Sequence, residues 1–118
     1  MSGGFIKLTA WQKAYDLALE VYKETKKFPR NELYSLTTQM RRAAVSVTAN
    51  IAEGYDRQSR KEYVHFLVIA RGSLAETEAY LLFARDLGYL PIEHYAKLDG
   101  IRQELGRVLR GLINSLRS

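Results

Sequence analysis

The chain has 118 residues, 18 basic against 13 acidic side chains, a net charge of +5 and no cysteine. Disulfides, thiolate metal sites and a cysteine nucleophile are thereby excluded, and the missing cysteines fit a reducing compartment. No apolar run approaches the ~18 residues that span a bilayer, and the opening MSGGFIKL is too short and polar for a signal peptide. The expectation is a cytoplasmic protein with no membrane contact, folded as one domain over residues 6–118.

Hydrophobic periodicity predicts four helices and no strand. The first opens at Thr9, where Thr9 and Gln12 have capping-box spacing and Leu8 is placed to staple the entry. Ala10, Ala14, Leu17 and Val21 form one apolar stripe, and Trp11, Tyr15, Ala18 and Tyr22 a second beside it. Phe28-Pro29 ends the segment, because a residue before proline avoids the α region.

The second helix is expected to start near Ser35 as N-cap and to stop at Gly54 in the left-handed conformation. Ala43, Ala44, Val47, Ala49 and Ile51 read as core, while Arg42, Ser46, Asn50 and Glu53 fall on one polar stripe. Ser59 and Glu62 form another capping box and open the longest helix, which Gly88 stops. Its early part, YVHFLVIA from Tyr63, is apolar at nearly every angle. A helix of that kind must be buried on several sides, which argues for self-association. The fourth helix begins at Pro91, with Tyr95, Leu98, Ile101, Leu105, Val108, Leu112 and Leu116 on its inner face. Gly100, Gly106 and Gly111 in that helix fit either close approach by another helix or local fraying. Short connections between long helices give an antiparallel, up-down-up-down four-helix bundle.

Catalytic chemistry finds little footing. Glu62 and His65 have the Glu-x-x-His spacing of di-iron bundles, but no second copy exists, and Glu62 already has its capping role. His65 reads as a packed or interface histidine and His94 as a solvated one; neither has a nucleophile to serve. No catalytic residue, metal or cofactor is expected. The antiparallel register about Arg57 puts Arg42 within a turn of Ser73 and Glu76, so a buried Arg42–Glu76 pair is expected. With Ser46, Asn50, Glu53 and Ser73 it would form a polar lock on the register of the two helices. Basic residues gather at Arg57, Arg60 and Lys61, and along the last helix at Arg102, Arg107, Arg110 and Arg117, opposed there only by Glu104. Such cations suit phosphate contacts with a strong dependence on salt.

The residues also carry a resemblance. Trp11-Gln12, Phe28-Pro29 with Glu32, Gln39-Met40-Arg41-Arg42-Ala43, Asn50-Ile51-Ala52-Glu53-Gly54, Gly72-Ser73-Leu74 with Glu76, and Leu87-Gly88-Tyr89 span most of the chain. In these marks it resembles the bacterial four-helix-bundle proteins of 23S ribosomal RNA intervening sequences. The resemblance implies the same bundle and a homopentamer, which would cover the over-apolar third helix; it implies no established activity. By fold and assembly the chain is also similar to the accessory proteins of diversity-generating retroelements, which implies nucleic-acid binding. Two functions stand side by side: an oligomer that binds nucleic acid, RNA first, and a protein-interaction scaffold whose charge is incidental. A ligand or metal bundle is a weaker third.

Overall fold

A computed structural model describes residues 3–118, and all regular secondary structure among the described residues is helical, with no strand. Four long helices make up the bundle: α1 (Thr9–Thr25), α2 (Thr38–Tyr55), α3 (Arg60–Asp86) and α4 (Ile92–Arg117). Each of α1 and α3 packs against both α2 and α4, and the antiparallel bundle measures 43 × 23 × 20 Å. Leu17, Val21, Val47, Ile51, Leu67, Leu81, Leu98, Leu105, Leu109 and Ile113 fill the shared core. Ala10, Ala14, Ala43, Ala44 and Ala70 let the helix axes approach between them. Leu109 and Ile113 belong to the buried centre of α4, whereas Ile101, Val108, Leu112 and Leu116 are only half-buried at its flank. Ala49, which reads as core in the sequence, is exposed.

Helix termini show which local signals the backbone uses. At α3 the Ser59 Oγ accepts from the Glu62 N–H at 3.0 Å, and the Glu62 carboxylate returns to Ser59 Oγ at 3.2 Å. The other end of α3 closes on Gly88 at φ +80°: Gly88 N–H reaches Arg85 O at 3.1 Å and Tyr89 N–H reaches Ala84 O at 2.9 Å. That double bond is a Schellman ending, and glycine suits its left-handed residue. Pro91 is the N-cap of α4, one residue before its expected place inside the helix.

Two expected caps are not caps. Leu8 holds the extended N-cap conformation of α1, so Thr9 is already helical. Gln12 instead donates through Nε2 to the Ile6 carbonyl at 2.8 Å, fixing the short 3-10 turn Gly4–Lys7 that precedes the helix. Ser35 sits within a π-helical turn, Leu33–Thr37, and donates to the Glu32 carboxylate at 2.6 Å. A helical backbone continues through Ser35 and Thr37 into α2, so no residue there takes the extended conformation an N-cap requires.

Gly54 corrects the expectation in a different way. It lies inside α2 with ordinary helical geometry, and its role is steric. A β-carbon there would stand 2.9 Å from Phe66 Cβ and 3.2 Å from the Tyr63 carbonyl oxygen. Glycine thus lets the last turn of α2 lie against the first turns of α3. Tyr63 is half-buried at this contact; its hydroxyl is shielded and finds no partner among the described residues, and burial pushes its pKa up. Gly100 and Gly111 face open space, so neither is needed for packing within the chain.

Gly54→Ala is expected to cost about 1–3 kcal/mol, the range for overpacking a tight contact. Urea unfolding of the two proteins measures it, and equal midpoints would show that the approach relaxes freely.

Candidate nucleic-acid interface

The polar stripe of α2 divides into three separate contacts. Arg42 Nη2 lies 3.2 Å from Glu76 Oε2, but the two side chains are 50% and 46% exposed, so the pair is not buried as expected. Solvent screens such a pair, and its coupling is small. Deeper in, Ser46 Oγ and Ser73 Oγ share a hydrogen bond of 2.9 Å, and Asn50 Nδ2 donates to the Ser46 carbonyl at 2.8 Å and to Ser46 Oγ at 3.1 Å. Ser73 is buried and Ser46 half-buried, so this network joins α2 to α3 where water is scarce. Glu53 takes no part in it: its carboxylate pairs with Arg57 at 2.7 Å, four residues on.

The expected basic residues also separate by their surroundings. Arg57 is engaged by Glu53 and lies over the Phe66 ring at 4.7 Å. Arg102 is 15% exposed and bridges Asp99 at 2.7 Å and Glu78 at 3.4 Å, so its charge is spent within the fold. Burial opposes the Asp99 carboxylate, but hydrogen bonds from Arg102 and Gln103 outweigh it and hold its pKa below the ordinary value. Glu104 is bound by Lys13 of α1, whose hydrogen bond and charge hold its pKa low. Arg107 is exposed beside Glu104 on the outer side of α4.

What remains is a groove between α3 and α4. At one end Arg60, Lys61 and Arg117 surround a depression of 440 Å³ with Val64 and Leu116 on its floor. Further along, Arg71 and Arg110 flank a second depression of 210 Å³ that closes on the Arg102–Glu78 pair. The helical repeat explains the alignment, since Arg60, Val64, Arg71, Ala75 and Glu78 share one face of α3. Antiparallel packing sets that face against Arg102, Gly106, Arg110 and Arg117 of α4. Among the described residues, Arg60, Lys61, Arg71, Arg110 and Arg117 make no ion pair, and on the groove's own walls Glu78 and Glu104 are engaged by Arg102 and Lys13. Arg71 escaped the sequence reading because it stands alone in its segment, although its spacing from Arg60 places it on the same face.

The histidines offer no catalytic alternative. His65 is exposed, its ring against Phe66, so of the two expected readings, packed or interface, it is not packed within the chain. His94 is not simply solvated: its Nδ1 lies 2.9 and 3.0 Å from the two oxygens of the buried Glu24 carboxylate, tying the end of α1 to the start of α4. Among the described residues no group of three or more histidine, aspartate or glutamate side chains is gathered in a metal-binding arrangement.

Residues 6–111 match the family described as 23S rRNA-intervening sequence protein. The chain belongs to that family. Among solved structures it is similar to a protein of unknown function from the S23 ribosomal protein family of Bacteroides thetaiotaomicron. The two are 25% identical with a TM-score of 0.80, over 89% of this chain and 98% of that one. No curated protein matches the sequence. This relative shares the fold and, like the family, indicates no enzymatic activity.

A double-mutant cycle on Arg42→Ala and Glu76→Ala is expected to give a coupling of only ~0.2–1 kcal/mol, the range of an exposed pair. Ser73→Val, which removes the partner of the Ser46 hydroxyl across the α2–α3 contact, is expected to cost about 1–3 kcal/mol. Thermal denaturation resolves the two, and a larger coupling for the ion pair than the cost of Ser73→Val would reverse the assignment.

Proposed function

We propose that this family member is a non-enzymatic, cytoplasmic, oligomeric bundle protein that binds the phosphate backbone of nucleic acid, structured RNA first, through its α3–α4 groove. The observation that carries the reading is the row Arg60, Lys61, Arg71, Arg110 and Arg117, all without acidic partners in the described fold. Cations that structure does not neutralise release counterions from a polyanion, and that release supplies affinity without sequence reading. The family's name, with its reference to 23S ribosomal RNA, favours the same class of partner.

Assembly is the second part of the proposal. Phe83 of α3 and Leu87, just past its end, are 60% and 53% exposed, near the almost fully exposed Tyr34. With Leu36 and Tyr80 these three line a hollow of 510 Å³. An apolar patch of this kind marks a protein contact, and a pentamer of the kind implied by the resemblance would cover it. The same patch supports the scaffold reading, in which a different protein covers it.

Titrating labelled structured RNA and duplex DNA over a salt series tests the groove. If all five cations engage a duplex, log affinity should fall against log salt with a slope of about −4.5. The double variant Arg71→Gln/Arg110→Gln should lessen that slope by roughly 2. Absence of binding at low salt, or an unchanged slope in the variant, overturns the reading. Light scattering at micromolar concentration tests assembly: the wild type is expected as an oligomer and Phe83→Asp as a smaller species. A monomeric wild type contradicts the assembly claim, and a stoichiometric protein partner that survives nuclease treatment favours the scaffold.

A further inference from the structure

A second basic site lies at the opposite end of the bundle, where α1 turns through Pro29 into α2. Thr25, Lys26, Phe28, Pro29, Arg30, Leu33, Thr37 and Arg41 enclose a hollow of 130 Å³. Lys26, Arg30 and Arg41 contribute three cations, and no carboxylate lines the hollow. The acids nearest in sequence are held elsewhere, Glu24 by His94 and Glu32 by Ser35 and Tyr89.

Arg41 is positioned as a binding arginine would be. Its Nε donates to Thr25 Oγ1 at 2.8 Å, and its guanidinium carbon lies 4.7 Å from the centre of the Tyr22 ring. Thr25 is itself fixed, because its hydroxyl donates to the Val21 carbonyl at 2.8 Å and keeps a lone pair for Arg41. These bonds occupy only one edge of the guanidinium. The terminal nitrogens have no acceptor among the described residues, although Arg41 is half-buried. These nitrogens stay open to solvent and can give charge-assisted hydrogen bonds to an anion that enters the hollow. Thr37 lines the same hollow, is 3% exposed and brings a hydroxyl group to its wall.

We propose that this corner binds a phosphomonoester group. Three cations match a dianion better than a singly charged carboxylate, and the Arg41 fork and Thr37 hydroxyl supply directed donors to its oxygens. The volume is several times the ~30 Å³ of a liquid water yet below the ~300 Å³ of pockets that enclose whole drug-sized ligands. The hollow therefore takes the phosphate and leaves the rest of the molecule outside, against Phe28, Pro29 and Leu33. A free small phosphate and the phosphorylated end of an RNA share this chemistry.

Isothermal titration of the whole protein with inorganic phosphate at about physiological salt tests the proposal. Saturable binding is expected. Thr37→Val should weaken it by about tenfold or more, as loss of a hydrogen bond to a charged group does, and Arg30→Gln should weaken it as well. Both changes leave the Arg41–Thr25 tether in place, so neither depends on the α1–α2 contact being disturbed. A 5′-phosphorylated trinucleotide and its 5′-hydroxyl counterpart separate the sources. Tighter binding of the phosphorylated form than of inorganic phosphate, with no competition by the hydroxyl form, assigns an RNA end. Equal binding of the phosphorylated form and inorganic phosphate assigns a free small phosphate. No saturable binding at millimolar phosphate, or undiminished affinity in both Thr37→Val and Arg30→Gln, overturns the site. Arg71→Gln/Arg110→Gln should leave phosphate binding unchanged, so failure here and failure of the groove are separate results.

Discussion

Gly54 lets the last turn of α2 lie directly against Tyr63 and Phe66, and the contacts further along the α2–α3 pair follow from that approach. With the helix ends this close, the four residues between Tyr55 and Arg60 are enough to reverse the chain. The register then brings Ser46 to Ser73 and Arg42 to Glu76 without further adjustment. Small side chains carry the approach through the interior, and the large aliphatic ones of α1 and α4 close over it. A bundle whose most extensive contact joins sequence neighbours specifies its topology early in the chain, and the remaining two helices have one apolar trough to fill.

That arrangement also decides which charges stay available. Arg102 lies low enough in the α3–α4 groove to be held by Glu78 across the helix pair and by Asp99 on its own helix. Arg110 and Arg117, two and four turns further on, make no ion pair among the described residues, because Glu78, the acid that lines the Arg110 depression, is already held by Arg102. The difference between a structural arginine and a binding one is therefore the identity of the residue opposite it, since all three have the same charge and occupy the same helix.

The signals legible in the sequence were those completed within one turn of helix. Ser59 and Glu62 cap α3 because both partners of the box lie inside the motif, and Gly88 stops it because a left-handed residue is a local demand. The apolar stripe of α1 and the four-helix architecture follow from periodicity in the same way. Thr9 and Ser35 carry cap-forming side chains, but the cap position is set by backbone angles that the preceding turns determine, and those turns are 3-10 and π. Gly54 could serve either as a left-handed stop or as a gap for a neighbour, and only the position of Phe66 distinguishes them. The candidate site was legible in part for the same reason. Its α4 cations show in the spacing, whereas the neutralisation of Arg102, the engagement of Arg57 and the contribution of Arg71 depend on which residues face one another.

The placement of the two basic regions has an electrostatic consequence. The Arg41 corner and the Arg60–Lys61–Arg117 depression stand at opposite ends of the bundle, separated by roughly the ~27 Å length of an 18-residue helix such as α2. At physiological ionic strength the screening length is about 8 Å, so several screening lengths separate them. Charge neutralised at one end is hardly felt at the other. Occupancy of the two regions is thus electrostatically independent in one chain, and any coupling between them must travel through packing or through assembly.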